Sequence, residues 1–513
     1  MSASGTAVPA TGGTSARSGV AATARGGWWG FLGSVVNAVF GYLLVALVAR
    51  VLGAHGSGAV FTGVAVFTIL SNTCKLGADT GLVRFVSRDV AMGGGRQVGT
   101  LLRTSLVPGT VASTAAAALL FFSPTTATSL LPNLAADDAV TLVRLFAVFL
   151  PAATISLILL GASQGYGTVL PFVGVEQIGK PVLRVLIAVP VALLVPGVLT
   201  LAAAWLIPSL AGVFVAWVAL RRCRPGRTPP PGPEAAAVRR GFWAFSAPRA
   251  VATFFDISAV WVGVILLSGL GTSEEAGIYT ATTRVIVAGM LIQQAIRRAV
   301  APQISSLIAM DEMQQACHLH RISTRWIVLF SAPLFVLLMS FPGTVLSLFG
   351  PEFTDGTDAL VVLCVATAIN IGVGNAQTVL LMAGKSSWQL AVSGVALAVQ
   401  LTVGILAVPR WGVLGAALSW GAAIVVENLT AAALVRRNPG FTTVDRGYIA
   451  ATGAGLCLTA AVVLPARFLA GDTAMGLAAG MTMGICVFSI SLIRFRTALG
   501  VHELAGVLRK GDA

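Results

Sequence analysis

Apolar stretches of about 20 residues, long enough to cross a bilayer, recur fourteen times along this 513-residue chain. The first six run 28–49, 57–76, 104–122, 139–162, 168–195 and 197–220. Six more follow at 244–269, 275–300, 326–349, 358–383, 387–408 and 412–435, with a last pair at 447–468 and 473–493. In hydrocarbon a lone segment can pair its backbone N–H and C=O groups only as a helix. The expected fold class is therefore all-α integral membrane, with 14 transmembrane helices. Hydrophobic residues make up 56% of the chain and charged ones only 10%, too few to cover a soluble protein of this size. The 57 glycines fit helices that pack closely in lipid.

Charge orients the spans. With the N-terminus inside, the cytoplasmic connections and both tails hold 25 of the 33 basic residues, and the outside loops hold 3. Those three are Arg50, Arg410 and Arg467. The outside loops are acidic or neutral instead, as in LAADDA at 134–139 and TSEEAG at 272–277. This bias predicts an N-in/C-in topology. The net charge of +14 follows from the same loops, so no nucleic-acid partner is expected.

The span pattern divides into two six-helix halves. Residues 1–27 lack the apolar core of a signal peptide and read as a disordered cytoplasmic tail, with Trp28 and Trp29 as interfacial anchors. An N-lobe at 28–222 and a C-lobe at 244–437 flank a basic, Pro-rich cytoplasmic linker at 223–243. Two extra helices at 438–494 and a tail at 495–513 complete the chain. The halves repeat weakly. GVLTLAAAW begins at Gly197 and GVLGAALSW at Gly412; each carries Trp at +8 (Trp205, Trp420) and Arg-Arg at +24. GAVFT from Gly58 and GIYT from Gly277 also correspond. An even number of spans per half makes the repeats parallel, as in transporters whose two bundles rock about a central site.

Charges inside the spans mark that site. Glu176, Lys180 and Arg184 lie four residues apart and line one helix face. Each charge at the bilayer centre costs about 2.5–3.5 kcal/mol on insertion scales. Arg144, Arg249, Asp256 and Arg284 are the other in-span charges recognised. Arg144 and Arg249 are close enough to an edge to snorkel. Glu176 is spaced to pair with Lys180, and Arg249 with Asp256. Lys180, Arg184 and Arg284 lie too deep to snorkel cheaply, and are expected to face a hydrated cavity that favours an anionic substrate.

Other chemistry is sparse. No GxxxxGK[ST] loop is present, so no nucleotide-driven motor is built in. MGGGRQ at 92–97 reads as an interfacial loop, and His318 and His320 as part of a solvated connection rather than a metal site. The six cysteines are scattered, with no CxxC, and read as free thiols. No cofactor is expected. No segment outside the spans is long enough for a catalytic domain, so the chain is not expected to be an enzyme.

Three segments carry a family resemblance. RVLGAHGSGAVFTGVAVFTILSNTCKLGADTGLVRFVSR at 50–88, AGIYTATTRVIVAGMLIQQAIRRAVAPQISSL at 276–307 and GPEFTDGTDALVVL at 350–363 resemble the polysaccharide biosynthesis (Wzx-type flippase) branch of the multidrug/oligosaccharidyl-lipid/polysaccharide exporter superfamily. The resemblance implies two six-helix lobes forming a V around a cationic cavity. It implies alternating access and a substrate of the undecaprenyl-pyrophosphate-oligosaccharide kind, in a bacterial cytoplasmic membrane. Lys180, Arg184, Arg249 and Arg284 are then expected to contact the pyrophosphate or acidic sugars. Glu176 and Asp256 would couple an ion or hold those cations. Membrane lipids and glycan-assembly enzymes are the other implied partners. A lipid II flippase and a cation-coupled drug exporter are the alternatives; excess arginine argues against the exporter.

Reporter fusions within 223–243 are expected to report a cytoplasmic location, and an external signal there would overturn the topology.

Overall fold

The computed structural model describes residues 12–93, 96–223, 235–374, 376–382, 386–437 and 446–494. The described residues contain helices and no strand. The first half comprises α1 (Gly12–Cys74), α2 (Ala78–Gly93), α3 (Val98–Phe122), α4 (Pro124–Leu130), α5 (Ala136–Gly165) and the single turn α6 (Leu170–Phe172). A π-helical turn, Val173–Gly179, then leads into α7 (Lys180–Leu194), α8 (Val198–Leu206) and α9 (Pro208–Cys223). The second half comprises α10 (Ala235–Leu270), α11 (Ser273–Gly289), α12 (Leu291–Ala309), α13 (Met313–Ser340) and α14 (Pro342–Ser347). It continues through α15 (Thr357–Val373), α16 (Ala376–Met382) and α17 (Ser386–Arg437). The tail holds α18 (Arg446–Gly453), a π-helical turn Ala454–Leu458, α19 (Thr459–Ala470) and α20 (Ala474–Arg494).

Among the described residues, nine helices are long and apolar enough to cross a membrane. Eleven of the fourteen expected spans fall within these helices; 275–300 falls in none of the nine, and 447–468 and 473–493 fall on shorter apolar helices, Gly455–Ala470 and Ala474–Ser489. α1 carries two expected spans and breaks at Gly53, and α17 carries two and breaks at Gly412. Both glycines have φ values of 67° and 48°, in the left-handed region that only glycine enters without strain. The expected span 275–300 is interrupted at Met290 and 358–383 at Gly374.

Two expected boundaries move. α1 runs back to Gly12, into the stretch expected as a disordered tail; its alanines are the strongest helix formers. α10 begins at Ala235, so the AAAVRR end of the linker is helical, while 224–234 lie outside the described residues. The tail at 495–513 also lies outside them. His318 and His320 sit in α13 rather than in a solvated connection: His318 is exposed and His320 is buried.

Within the first half, α5 packs against α2, α3 and α9, and α1 against α7. In the second, α15 packs on α17 and α13, and α17 on α10. The seam between halves is α1 against α10 and α11. Its closest approach joins the two glycines that correspond in the sequence repeat. A Cβ on Gly58 would stand 2.9 Å from the Gly277 nitrogen, and one on Gly277 would stand 3.0 Å from the Gly58 nitrogen. The Gly58 Cβ would also strike the Ser273 carbonyl oxygen at 1.6 Å. The two helices therefore touch backbone to backbone about a pseudo-twofold relation.

The expected outside loops gather at this end. Arg50 Nε donates to the Leu348 carbonyl at 2.8 Å, and the Ala54 N–H donates to Glu352 Oε1 at 2.6 Å. Ser268 Oγ donates to the Leu130 carbonyl at 2.6 Å. At the opposite end, the second half meets α2: Phe242 packs on Phe85 and the Arg84 guanidinium lies 4.5 Å over the Phe245 ring. The short helices α4 and α14 both start with proline and occupy matching places in the halves. Asp472, between α19 and α20, accepts the Gly343 and Thr344 N–H groups and the Thr344 hydroxyl at 2.6–3.0 Å. It thus caps α14, whose own N-cap is Phe341 and cannot.

Adding a methyl at the seam forces the backbones apart. Gly58→Ala or Gly277→Ala is expected to destabilise the protein by about 1–3 kcal/mol, the usual cost of overpacking. Gly30→Ala, with nothing within 4 Å of the added atom, is the control. Thermal unfolding in detergent, with all three variants unfolding together, would refute this account of the seam.

Candidate functional site

A cavity of about 330 Å³ opens along the seam. Its walls come from α1, α5, α7, α8 and α9 of the first half, and from α10 and α11 of the second. Four charged residues line it: Glu176, Lys180, Arg184 and Arg284. Three cations thus face one carboxylate, among polar Asn37, Thr68, Ser71, Asn72 and Ser209.

The stripe read from the sequence is brought together, but its members differ. Glu176 sits in the π-helical turn and Lys180 opens α7, with Pro181 next to it. Pro181 brings no N–H, so the turn before it lacks one ordinary helical bond, a setting in which π turns arise. Lys180 is 5% exposed, and its ammonium donates to Glu176 Oε1 and, at 3.4 Å, to Ser156 Oγ. A buried lysine held by a carboxylate one turn away is neutralised where it stands. That leaves Arg184 and Arg284 as the cavity cations without a carboxylate partner among the described lining residues.

Both arginines are mounted on tryptophans. The Arg184 guanidinium lies 3.8 Å from the centre of the Trp205 ring, and its Nε donates to the Trp205 carbonyl at 3.0 Å. Trp205 is itself wedged edge-on against Phe67 and tilted against Phe146. Arg284 lies 4.6 Å over the Trp261 ring, and its Nε has no hydrogen-bond partner in the protein. One stack belongs to each half, and both guanidiniums line the same cavity. A stacked guanidinium keeps its in-plane N–H groups for an oxyanion, the geometry that suits phosphate.

Arg249 and Asp256 do not line this cavity. Both lie on α10, and both are exposed. On α17, Ser393 Oγ donates to Glu427 Oε1 at 3.4 Å, and Gln389 Nε2 donates to Ser393 Oγ at 3.4 Å. Glu427 was missed from the sequence because it lies in IVVENLTAA, two turns before Arg436-Arg437, and reads as part of a basic span end. Arg144 Nε donates to the Phe121 carbonyl at 3.0 Å, and its guanidinium lies 5.2 Å over the Phe121 ring. Among the described residues no group of three or more His, Cys, Asp or Glu could hold a metal ion.

A smaller cavity of about 140 Å³ adjoins the first and shares Asn37, Gly41 and Arg284 with it.

Comparison with known proteins bears on this arrangement. The profile described as "Polysaccharide biosynthesis protein" matches residues 23–308. The probable low-salt glycan biosynthesis flippase Agl15 of Haloferax volcanii is 23% identical over 173 residues, 33% of this chain and 36% of that protein. Among solved structures, the lipid II flippase MurJ in an inward closed conformation superimposes with TM-score 0.74 at 13% identity, covering 91% of this chain and 98% of that one. An inward-facing multidrug resistance MATE family transporter of the MOP superfamily superimposes with TM-score 0.64 at 14% identity, covering 78% and 94%. Low identity limits those two likenesses to the fold. The chain belongs to the polysaccharide biosynthesis protein family and is built on the fold that MurJ and the MATE transporters share.

Proposed function

We propose that this protein flips lipid-linked oligosaccharide or polysaccharide precursors, of the undecaprenyl-pyrophosphate kind, across the cytoplasmic membrane of a bacterium by alternating access. The observation that carries the reading is the pair of Trp-stacked arginines, one from each half, facing a shared cavity. A diphosphate carries negative charge on both phosphoryl groups, so two separated guanidinium forks match it. A polar headgroup cannot cross hydrocarbon unaided and needs a hydrated path, while its polyprenyl tail stays in lipid.

The reading extends to topology. The arginine-rich end is taken as cytoplasmic, with N-in/C-in orientation and 14 crossings. The glycine seam, with the Arg50–Leu348 and Ala54–Glu352 bonds, then closes the outer end. Rocking of the halves would part these contacts and turn the cavity outward. Binding by itself drives no net transport, so a gradient must be coupled. Asp256 on α10 and Glu427 on α17 are the proposed coupling residues, because a carboxylate within a span favours a bound cation in one state. Lys180 and Glu176 hold each other, and through Ser156 they fix the wall on which Arg184 stands. The cavity's excess positive charge disfavours the cationic substrates of a drug exporter.

Flipping of a fluorescent polyprenyl-diphosphate oligosaccharide in proteoliposomes tests the reading. Arg184→Ala and Arg284→Ala are each expected to slow it about tenfold or more, since a charge-assisted hydrogen bond contributes about 1.5–3 kcal/mol. Normal rates in both well-folded variants, or uptake of small organic cations with no lipid flipping, would overturn it. Lipid II in the same assay separates the lipid II flippase reading, which predicts that lipid II is flipped at least as fast.

Asp256→Asn and Glu427→Gln are expected to abolish accumulation driven by an ion gradient while leaving substrate affinity unchanged. Gradient dependence that survives in both would remove the two residues from the mechanism.

A further inference from the structure

The first half carries a groove of about 790 Å³ that shares no residue with the central cavity. Its floor is α5, with Pro151, Ala152 and Ile155, and its walls are Leu106 of α3 and Phe214 and Trp217 of α9. Pro151 and Ala152 have short side chains, so the floor lies below walls of leucine and aromatic rings. Phe214 is 65% exposed, and its ring tilts against Trp217 with 6.3 Å between centroids. The described lining residues are all hydrophobic.

Lipid covers any apolar face at membrane depth, so apolarity alone selects nothing. The length and one end of this groove do. Val148 and Leu159 lie in its floor eleven residues apart on α5. At about 1.5 Å per residue that is about 16 Å, close to half of a hydrocarbon core about 30 Å thick. The groove therefore has the length of one acyl chain in one leaflet. Leu102, Leu159 and Leu220 belong to one buried cluster, which sets Arg103 and Arg221, the next residues along α3 and α9, at the Leu159 end. Both arginines are exposed. Arg221 is tied to the groove itself, since its guanidinium lies 3.7 Å from the centre of the Trp217 ring. Arg103 stands one turn from Leu106 and shares its helix face. Neither arginine has an ion-pair partner among the described residues. A stacked guanidinium keeps its in-plane N–H groups for an oxyanion, and tryptophan favours the headgroup level of a bilayer.

The far side of the floor faces the cavity wall. Ser156, next to Ile155, accepts from Lys180 Nζ at 3.4 Å, and a Cβ on Gly212 of α9 would stand 2.5 Å from Lys180 Cε. One layer, α5 packed on α9, lies between the groove and the charged wall.

We propose that the groove is a binding site for one anionic phospholipid of the surrounding bilayer. One acyl chain lies along Pro151 and Ala152, and the phosphodiester is held by Arg103 and Arg221. The bound lipid braces the α5–α9 layer from outside. The site does not depend on the transport reading, whose topology decides only that the inner leaflet supplies the lipid.

The test is native mass spectrometry of the full-length protein in detergent, with palmitoyl-oleoyl phosphatidylglycerol or phosphatidylcholine added. The two lipids share their chains and differ in headgroup charge. Wild type is expected to hold one phosphatidylglycerol about tenfold more tightly than phosphatidylcholine. Arg103→Gln and Arg221→Gln are each expected to weaken phosphatidylglycerol about tenfold, the lower end of what a charge-assisted hydrogen bond contributes, and to leave phosphatidylcholine unchanged. Arg222→Gln removes the same charge one residue further on and is expected to change neither. Ala152→Phe fills the floor and is expected to weaken both lipids. Thermal unfolding without added lipid reports that each variant is folded, and the exposed arginine variants carry the test if Ala152→Phe is not.

Equal binding of the two lipids by wild type overturns the site. So does a loss in Arg222→Gln as large as those at Arg103 and Arg221, which would mean diffuse positive charge. Unchanged binding in a folded Ala152→Phe variant removes the groove as the place. Tighter binding of a polyprenyl diphosphate with the same dependence on Arg103 and Arg221 would give the groove to the transported lipid, and dimerisation abolished by Ala152→Phe would give it to a second copy. Either result overturns the proposal. None of these outcomes bears on Arg184 or Arg284, so the transport reading stands or falls separately.

Discussion

The backbone contact between Gly58 and Gly277 sets the geometry on which everything else in this protein depends. In lipid no hydrophobic force drives two helices together, because the surroundings are as apolar as the side chains. What remains is close packing, and it is strongest where backbones meet without side chains between them. By drawing α1 against α11 at one end, the two glycines make the halves diverge from a fixed point. The space between them becomes the cavity, and α11 delivers Arg284 into it, seven residues beyond Gly277. The same approach is made by corresponding residues of the two halves, so the contact is self-complementary in the manner of a twofold interface.

Burying charge in such a seam demands that each be held. The protein uses two solutions side by side. Lys180 is matched by a carboxylate and carries no net field into the cavity. Arg184 and Arg284 are instead supported on aromatic faces, which stabilise the cation and leave its charge uncompensated. The first solution gives a rigid wall, and the second an attractive potential for an anion. Asp256 and Glu427 stand apart from both, outside the cavity.

The all-helical fold and the charged stripe of Glu176, Lys180 and Arg184 along one cavity wall were legible in the sequence because they are local patterns: hydropathy over about 20 residues and spacing over one helical turn. The correspondence of Gly58 with Gly277 was legible too, but not that the two would touch. The supports of the arginines were hidden, since Trp205 and Trp261 lie 21 and 23 residues from their cations and on different helices. Whether Lys180 was free or paired could not be read from its spacing, because the four-residue interval allows both. The π-helical turn at Val173–Gly179 left no mark beyond Pro181. Glu427 was hidden by its basic neighbours, and only the fold brings it to Ser393, 34 residues away.

Asp472 binds its three donors from α14 with both carboxylate oxygens, which pins the turn between α19 and α20 to the second half. The last helix pair thus has no hinge of its own at that end and travels with the half that holds it.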